Sequence, residues 1–238
     1  MNACAVPADG RPDPARFDGL SPWLDPRDID RLRRHWQWAP LRLALRPGAW
    51  PDSQRLAHWM RTDRLRDAQA RLWRPVDGAG VPLDPRAWTR DRRLGDQVIS
   101  GLLDADAVGD ALTQGAWLHL QHLHRLDASL AHALSGWQAA LGVPLRAHGW
   151  RGQAPQPAGL ARQARPFRLD LDAAGASAAR MLIVVEGEMT ATWTPPGAPG
   201  CESRRHLKAV AGEMLYLPAA GSLAWHTRGA VWAVELRL

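Results

Sequence analysis

Three histidines set close together, His119, His122 and His124, are the first side chains whose type suggests chemistry, because imidazole is a common zinc ligand. Their spacing, with Gln121 and Leu123 between them and no cysteine nearby, fits no standard zinc pattern. Cys4 and Cys201 have no neighbouring base in the sequence, so nothing supports a thiolate nucleophile. Two cysteines so far apart do not make a disulfide framework, and a reducing cytoplasm is the expected compartment. Neither a glycine-rich phosphate loop nor a Gly-x-Ser-x-Gly elbow occurs. Thirteen tryptophans against one tyrosine and two phenylalanines read as core packing rather than as a cofactor box.

The chain of 238 residues is 46% hydrophobic, enough to bury a core without staples. Its net charge of +6 comes almost wholly from arginine, with Lys208 the single lysine. Arg31, Arg33, Arg34, Arg61, Arg64, Arg66, Arg71, Arg90, Arg92 and Arg93 are interleaved with Asp. That is the pattern of a solvated mixed-charge surface, so nucleic acid is not an expected partner. No apolar run approaches the length of a membrane span and residues 1–20 lack the apolar stretch of a signal peptide, so neither membrane insertion nor export is expected.

The elements that would position any site follow from periodicity. Residues 1–20, rich in Pro, Ala, Asp and Gly, read as a flexible tail. Asp25-Pro26 has the form of an N-cap and first helical residue, followed by Ile29, Leu32 and Trp36 on one face. After Pro40, Leu41, Leu43 and Leu45 alternate with polar residues as in a half-buried strand. A second helix is expected from Asp52 or Ser53 through Leu56, Trp59 and Met60, and residues 74–96 read as loop with short strands at most. Asp104 or Asp106 caps a short helix ended by Gly115, a strand holds Trp117 to Gln121, and Asp127 caps a helix bearing Leu130, Leu134, Trp137 and Leu141. Beyond it, residues 143–150, 166–171, 180–186, 188–194, 206–210, 213–217 and 230–238 read as strands, the mark of a barrel or sandwich.

The order of these pieces resembles the JmjC and cupin-like family. The resemblance is carried by His35-Trp36-Gln37-Trp38-Ala39-Pro40-Leu41-Arg42-Leu43, by Leu112-Thr113-Gln114-Gly115-Ala116-Trp117-Leu118, by Val185-Glu186-Gly187 with Trp193, and by Gly212-Glu213-Met214-Leu215-Tyr216-Leu217-Pro218. It implies an α+β fold: a cupin-like double-stranded β-helix (jelly-roll) core over residues 111–238, preceded by a mostly helical N-terminal half over residues 21–110.

Most proteins this resembles are Fe(II)- and 2-oxoglutarate-dependent oxygenases acting on protein or peptide side chains. Two histidines and one carboxylate hold the iron and leave three adjacent positions open. Carried over without gaps, the His-x-Asp falls on Ala174 and Ala176, the distal histidine on Leu223, and the co-substrate lysine on Met189. The resemblance therefore implies a degenerate site with no metal and no cofactor, a pseudoenzyme binding a peptide or protein partner, an active paralogue being one candidate. Trp150, Arg168, Met189, Trp193, Tyr216, Trp225 and His226 are the expected groove residues, and Arg168 would favour an acidic partner. The alternative treats residues 173–179 as an inserted loop, so that Asp170 or Asp172 joins His226 and a displaced histidine around iron, with 2-oxoglutarate as co-substrate.

Overall fold

The computed structural model describes residues 14–50, 52, 54, 65–76, 79–153, 179–195, 204–219, 222–227 and 229–238. The chain enters through a 3-10 turn at Pro14–Leu20 and helix α1 at Pro26–His35, with Asp25 at its N-cap and Pro26 opening it. Strand β1 is Leu41–Ala44, and its Leu41 and Leu43 are buried while Arg42 and Ala44 are exposed, as the alternation predicts. Next come β2 (Ala70–Val76), β3 (Ala79–Pro82), β4 (Thr89–Leu94) and β5 (Gln97–Leu103). Helix α2 spans Ala105–Thr113, with the Asp104 carboxylate accepting from the Asp106 and Ala107 amides. Strand β6 (Trp117–Leu120) leads to helix α3 (Ala128–Leu141), where the Asp127 side chain accepts from the Leu130 amide. The remaining strands are β7 (Arg146–Gln153), β8 (Arg180–Glu186), β9 (Glu188–Thr194), β10 (Arg205–Val210), β11 (Glu213–Leu217), β12 (Ser222–Thr227) and β13 (Ala230–Arg237).

The strands form an eight-stranded sheet in the order β1-β11-β8-β13-β7-β6-β2-β3, a three-stranded sheet β10-β9-β12 and the separate hairpin β4-β5. Every pairing is antiparallel. Both faces of the central strands β8, β11 and β13 are buried, which is why these strands carry near-continuous apolar runs. Met181, Ile183, Met214, Tyr216, Trp232, Val234 and Leu236 share one core with Phe17, Leu32, Trp36 and the α3 residues Leu130, Leu134, Trp137 and Leu141. The alternate residues Leu182, Val184, Leu215, Leu217, Val231 and Ala233 face the small sheet and share a second core with Met189, Ala191, Trp193, Ala209, Leu223 and Trp225. This second core is the interior of the barrel.

The mostly helical N-terminal half is not what forms. Among the described residues of 21–110, helices α1 and α2 stand beside five strands, and the stretch expected as loop over 74–96 lies largely in the hairpins β2-β3 and β4-β5. Hydrophobic alternation could not reveal β4, because Arg90, Asp91, Arg92, Arg93 and Leu94 are all exposed. The expected helix through Leu56, Trp59 and Met60 and the expected strand over 166–171 lie outside the described residues. Strand β12 escaped the sequence reading altogether, although Leu223 and Trp225 carry its alternation.

Candidate functional site at the polar end of the barrel

Period-two alternation places a small polar group on the barrel side of the large sheet. Trp117 and His119 share that face of β6, His148 and Trp150 that of β7, and Ala233, Glu235 and Arg237 that of β13. In register, His119 sits opposite Trp150, Glu235 opposite both His148 and Leu182, and Arg237 opposite Arg180. The polar residues therefore gather at the end of the barrel where β8 begins and β13 finishes.

Glu235 is completely buried. Its Oε2 accepts from Trp150 Nε1 at 2.9 Å and from Arg237 Nη2 at 3.0 Å, and its Oε1 lies 3.5 Å from Arg180 Nη1. A buried carboxylate without partners would be prohibitively costly, so the two guanidiniums and the indole are what allow it to be there. Beside it His119 Nε2 and His148 Nδ1 are 3.1 Å apart, and the His119 ring stacks on Trp150 with centroids 4.0 Å apart and planes 9° from parallel. Burial holds His119 well below the ordinary histidine range, helped by His148, Arg237, Arg71 and His122. Burial, then Arg237, brings His148 down to about 4, with Glu235 opposing. Both rings are thus neutral near pH 7, one donating N–H to the other's lone pair.

The structure divides the residues expected to line a groove. Trp150, Met189, Trp193 and Trp225 all face the barrel interior, with Trp150 against Trp225 edge to face at 5.4 Å. Tyr216 points to the opposite side of the large sheet, where it stacks on Trp36 at 4.9 Å and its hydroxyl accepts from the Gln37 amide at 2.9 Å. Burial raises that phenol to about 12, so it stays protonated. His226 alternates with Leu223 and Trp225 and sits on the outer face of the small sheet, opposite Thr190. Burial and His206 lower its basicity. Arg168, Asp170 and Asp172 lie outside the described residues. Sequence reasoning missed the Glu235, Arg180 and Arg237 cluster, although a lone carboxylate between Val234 and Leu236 in an apolar strand was its signal.

Of the positions where the resemblance would set iron and co-substrate ligands, Leu223 and Met189 are described, and Ala174 and Ala176 lie outside the described residues. Leu223 and Trp225 take the inward positions of β12, Met189 is inward on β9, and two guanidiniums that stay protonated stand at the polar end. Among the described residues no three His, Cys, Asp or Glu side chains converge on a point that could hold a metal ion. The aromatic rings lie within the core beside the buried polar cluster, Trp193 and Leu223 are also buried, and Arg205, opposite Trp193, is exposed.

No protein-family model and no curated protein matches the sequence. Among solved structures, an X-ray structure of ycfD from E. coli is 15% identical over 90% of this chain and 53% of that one, with a TM-score of 0.54. A structure described as YcfD, a ribosomal oxygenase from Escherichia coli, in complex with cobalt and 2-oxoglutarate is 15% identical over 91% and 53%, with a TM-score of 0.51. The chain spans about half the length of the solved proteins it matches. At this identity the likeness is one of fold.

Proposed function

We propose that this chain, whose fold is that of the JmjC and cupin-like double-stranded β-helix proteins, is a peptide- or protein-binding module that works without iron or 2-oxoglutarate. The observation that carries the reading is the filling of β12: Leu223 and Trp225 are packed inward, while its histidine, His226, is on the outer face. Restoring a ligand there would require a shift of strand register by one residue, which would turn Leu223 and Trp225 out of the core. The partner would meet the polar end of the barrel through Trp193, Leu223 and Arg205, and an acidic segment suits the exposed guanidinium. Among the described residues no helix is long and apolar enough to cross a membrane.

A second reading is the one the structural neighbours favour: an Fe(II)- and 2-oxoglutarate-dependent oxygenase acting on a protein, as YcfD is described as a ribosomal oxygenase and is seen with cobalt and 2-oxoglutarate. It would draw its carboxylate from Asp170 or Asp172, in the segment just before β8. Anaerobic calorimetry of metal-stripped protein with Mn(II) and 2-oxoglutarate separates the two. The binding module gives no heat of one-site binding, and it captures acidic peptides on an array equally well in chelator, with loss in Trp193→Ala. Saturable metal binding that disappears when Asp170 and Asp172 are both changed to Asn would replace the first reading by the second.

A further inference from the structure

We infer that Arg146 and Arg237, the outer members of an arginine row at the polar end of the barrel, form a binding site for the phosphate group of a phosphate monoester. Strand register sets the row. Arg146 on β7 lies directly opposite Arg237 on β13, and Arg237 directly opposite Arg180 on β8. The alternation that turns His148, Glu235 and Leu182 toward the barrel turns these three the same way. Opposed residues on antiparallel strands have Cα atoms about 5 Å apart, and like charges placed so work against the pairing. Two such oppositions stand side by side here.

The counter-charge inside the protein is too small for the row. Glu235 is divided between Arg237, at 3.0 Å from Nη2, and Arg180, at 3.5 Å from Nη1. Among the described residues no carboxylate is in ion-pair contact with Arg146, and Glu235 is the one that touches Arg237. The Arg237 Nε–H is buried and finds no acceptor among the described residues. Exposure is graded along the row: Arg146 is exposed, the Arg237 side chain is 29% exposed and that of Arg180 is 8% exposed. An anion arriving from solvent therefore meets Arg146 and Arg237, while Arg180 stays behind with Glu235 and steadies the carboxylate that holds Arg237. Arg125, from the turn after β6, bears on the same His122 as Arg146 does and adds a further guanidinium beside the approach. A phosphate monoester suits this place. It brings a charge near −2 and three acceptor oxygens, so it can take N–H groups from two guanidinium forks at once.

The site is tested by calorimetry of the full chain at neutral pH in chloride buffer, titrated with inorganic phosphate and, separately, with the peptide acetyl-alanyl-phosphoseryl-alanine amide. Expected is saturable one-site binding of phosphate, weakened about tenfold or more in Arg146→Gln and partly restored in Arg146→Lys. Arg34→Gln, an equal loss of charge on the exposed face of α1, should keep it. Tighter binding of the peptide than of free phosphate makes a phosphorylated protein segment the source of the group, and weaker binding makes it a small phosphate ester; either upholds the site. Near-UV dichroism checks the fold of each variant, and Arg237→Lys gives the second comparison should Arg146→Gln not fold. Heat that never saturates, or binding as strong in Arg146→Gln as in wild type, overturns the site. Its failure is distinct from failure of the binding-module reading, which is read from Trp193→Ala and does not involve Arg146.

Discussion

Glu235 shows how one residue can set the character of a site. Trp150 and Arg237 donate to its carboxylate and Arg180 forms an ion pair with it, so removing it leaves two guanidiniums without that counter-charge. Glu235→Ala should cost about 3 kcal/mol or more, whereas Glu235→Gln, which keeps an acceptor for Trp150, should cost less. Urea unfolding midpoints measure both, and an alanine variant as stable as wild type would mean the network contributes nothing net. The neighbouring histidines give stability a pH dependence whose sign is fixed. His148 titrates near 4 when folded against 6.5 ordinarily, so between those values the unfolded chain binds the extra proton. Stability is therefore complete above about 6.5 and falls as the pH drops toward 4, by on the order of 3 kcal/mol from His148. His148→Gln should flatten that slope in urea titrations run across the same range.

At the scale of elements, the turn between β8 and β9 depends on Gly187, whose φ of 79° belongs to the left-handed region. A Cβ there would collide with the carbonyl oxygen of Ala230 at the start of β13. Gly187→Ala should thus lose about 3 kcal/mol or more, seen as a lowered thermal midpoint or as insoluble protein. The converse case is Gln37, a non-glycine residue at φ 68° just beyond α1. Its amide donates to Tyr216, and proline would remove that donor and cannot adopt this φ, so Gln37→Pro should cost about 3 kcal/mol or more on the same melt. The two positions also show what the sequence could reveal. Val185-Glu186-Gly187 marks a strand and its turn by residue type alone, and so do the capping aspartates Asp104 and Asp127. The exposed strand β4 and the inward facing of His119 and Glu235 were not legible. Exposure on all its described residues but Thr89 leaves a strand without alternation, and which face of a strand looks into the barrel is settled only by its partners. The same gap explains why His226 could be read as a ligand when its position is on the outside of the small sheet.

At the scale of the molecule, the chain's two ends are one fabric. Strand β1 pairs with β11 and β2 with β6, so segments from the first third of the sequence close both flanks of the sheet built by the last half. On the helix side, Phe17, Leu20, Leu24, Ile29, Leu32 and Trp36 cover Met181, Ile183, Met214, Tyr216 and Val234. A fragment of residues 111–238, the stretch expected to hold the β-helix core, would expose the part of that apolar face that the N-terminal residues cover and two unpaired strand edges. Each of these is a liability for a soluble domain. The expected outcome is a fragment that binds a hydrophobic dye, lacks near-UV dichroism and shows no cooperative melt. Adding residues 14–104 as a separate chain should restore the near-UV signal if the interface alone decides folding. A fragment that melted cooperatively on its own would instead locate the independent folding unit in the barrel, with the N-terminal strands as a covering that the barrel can do without.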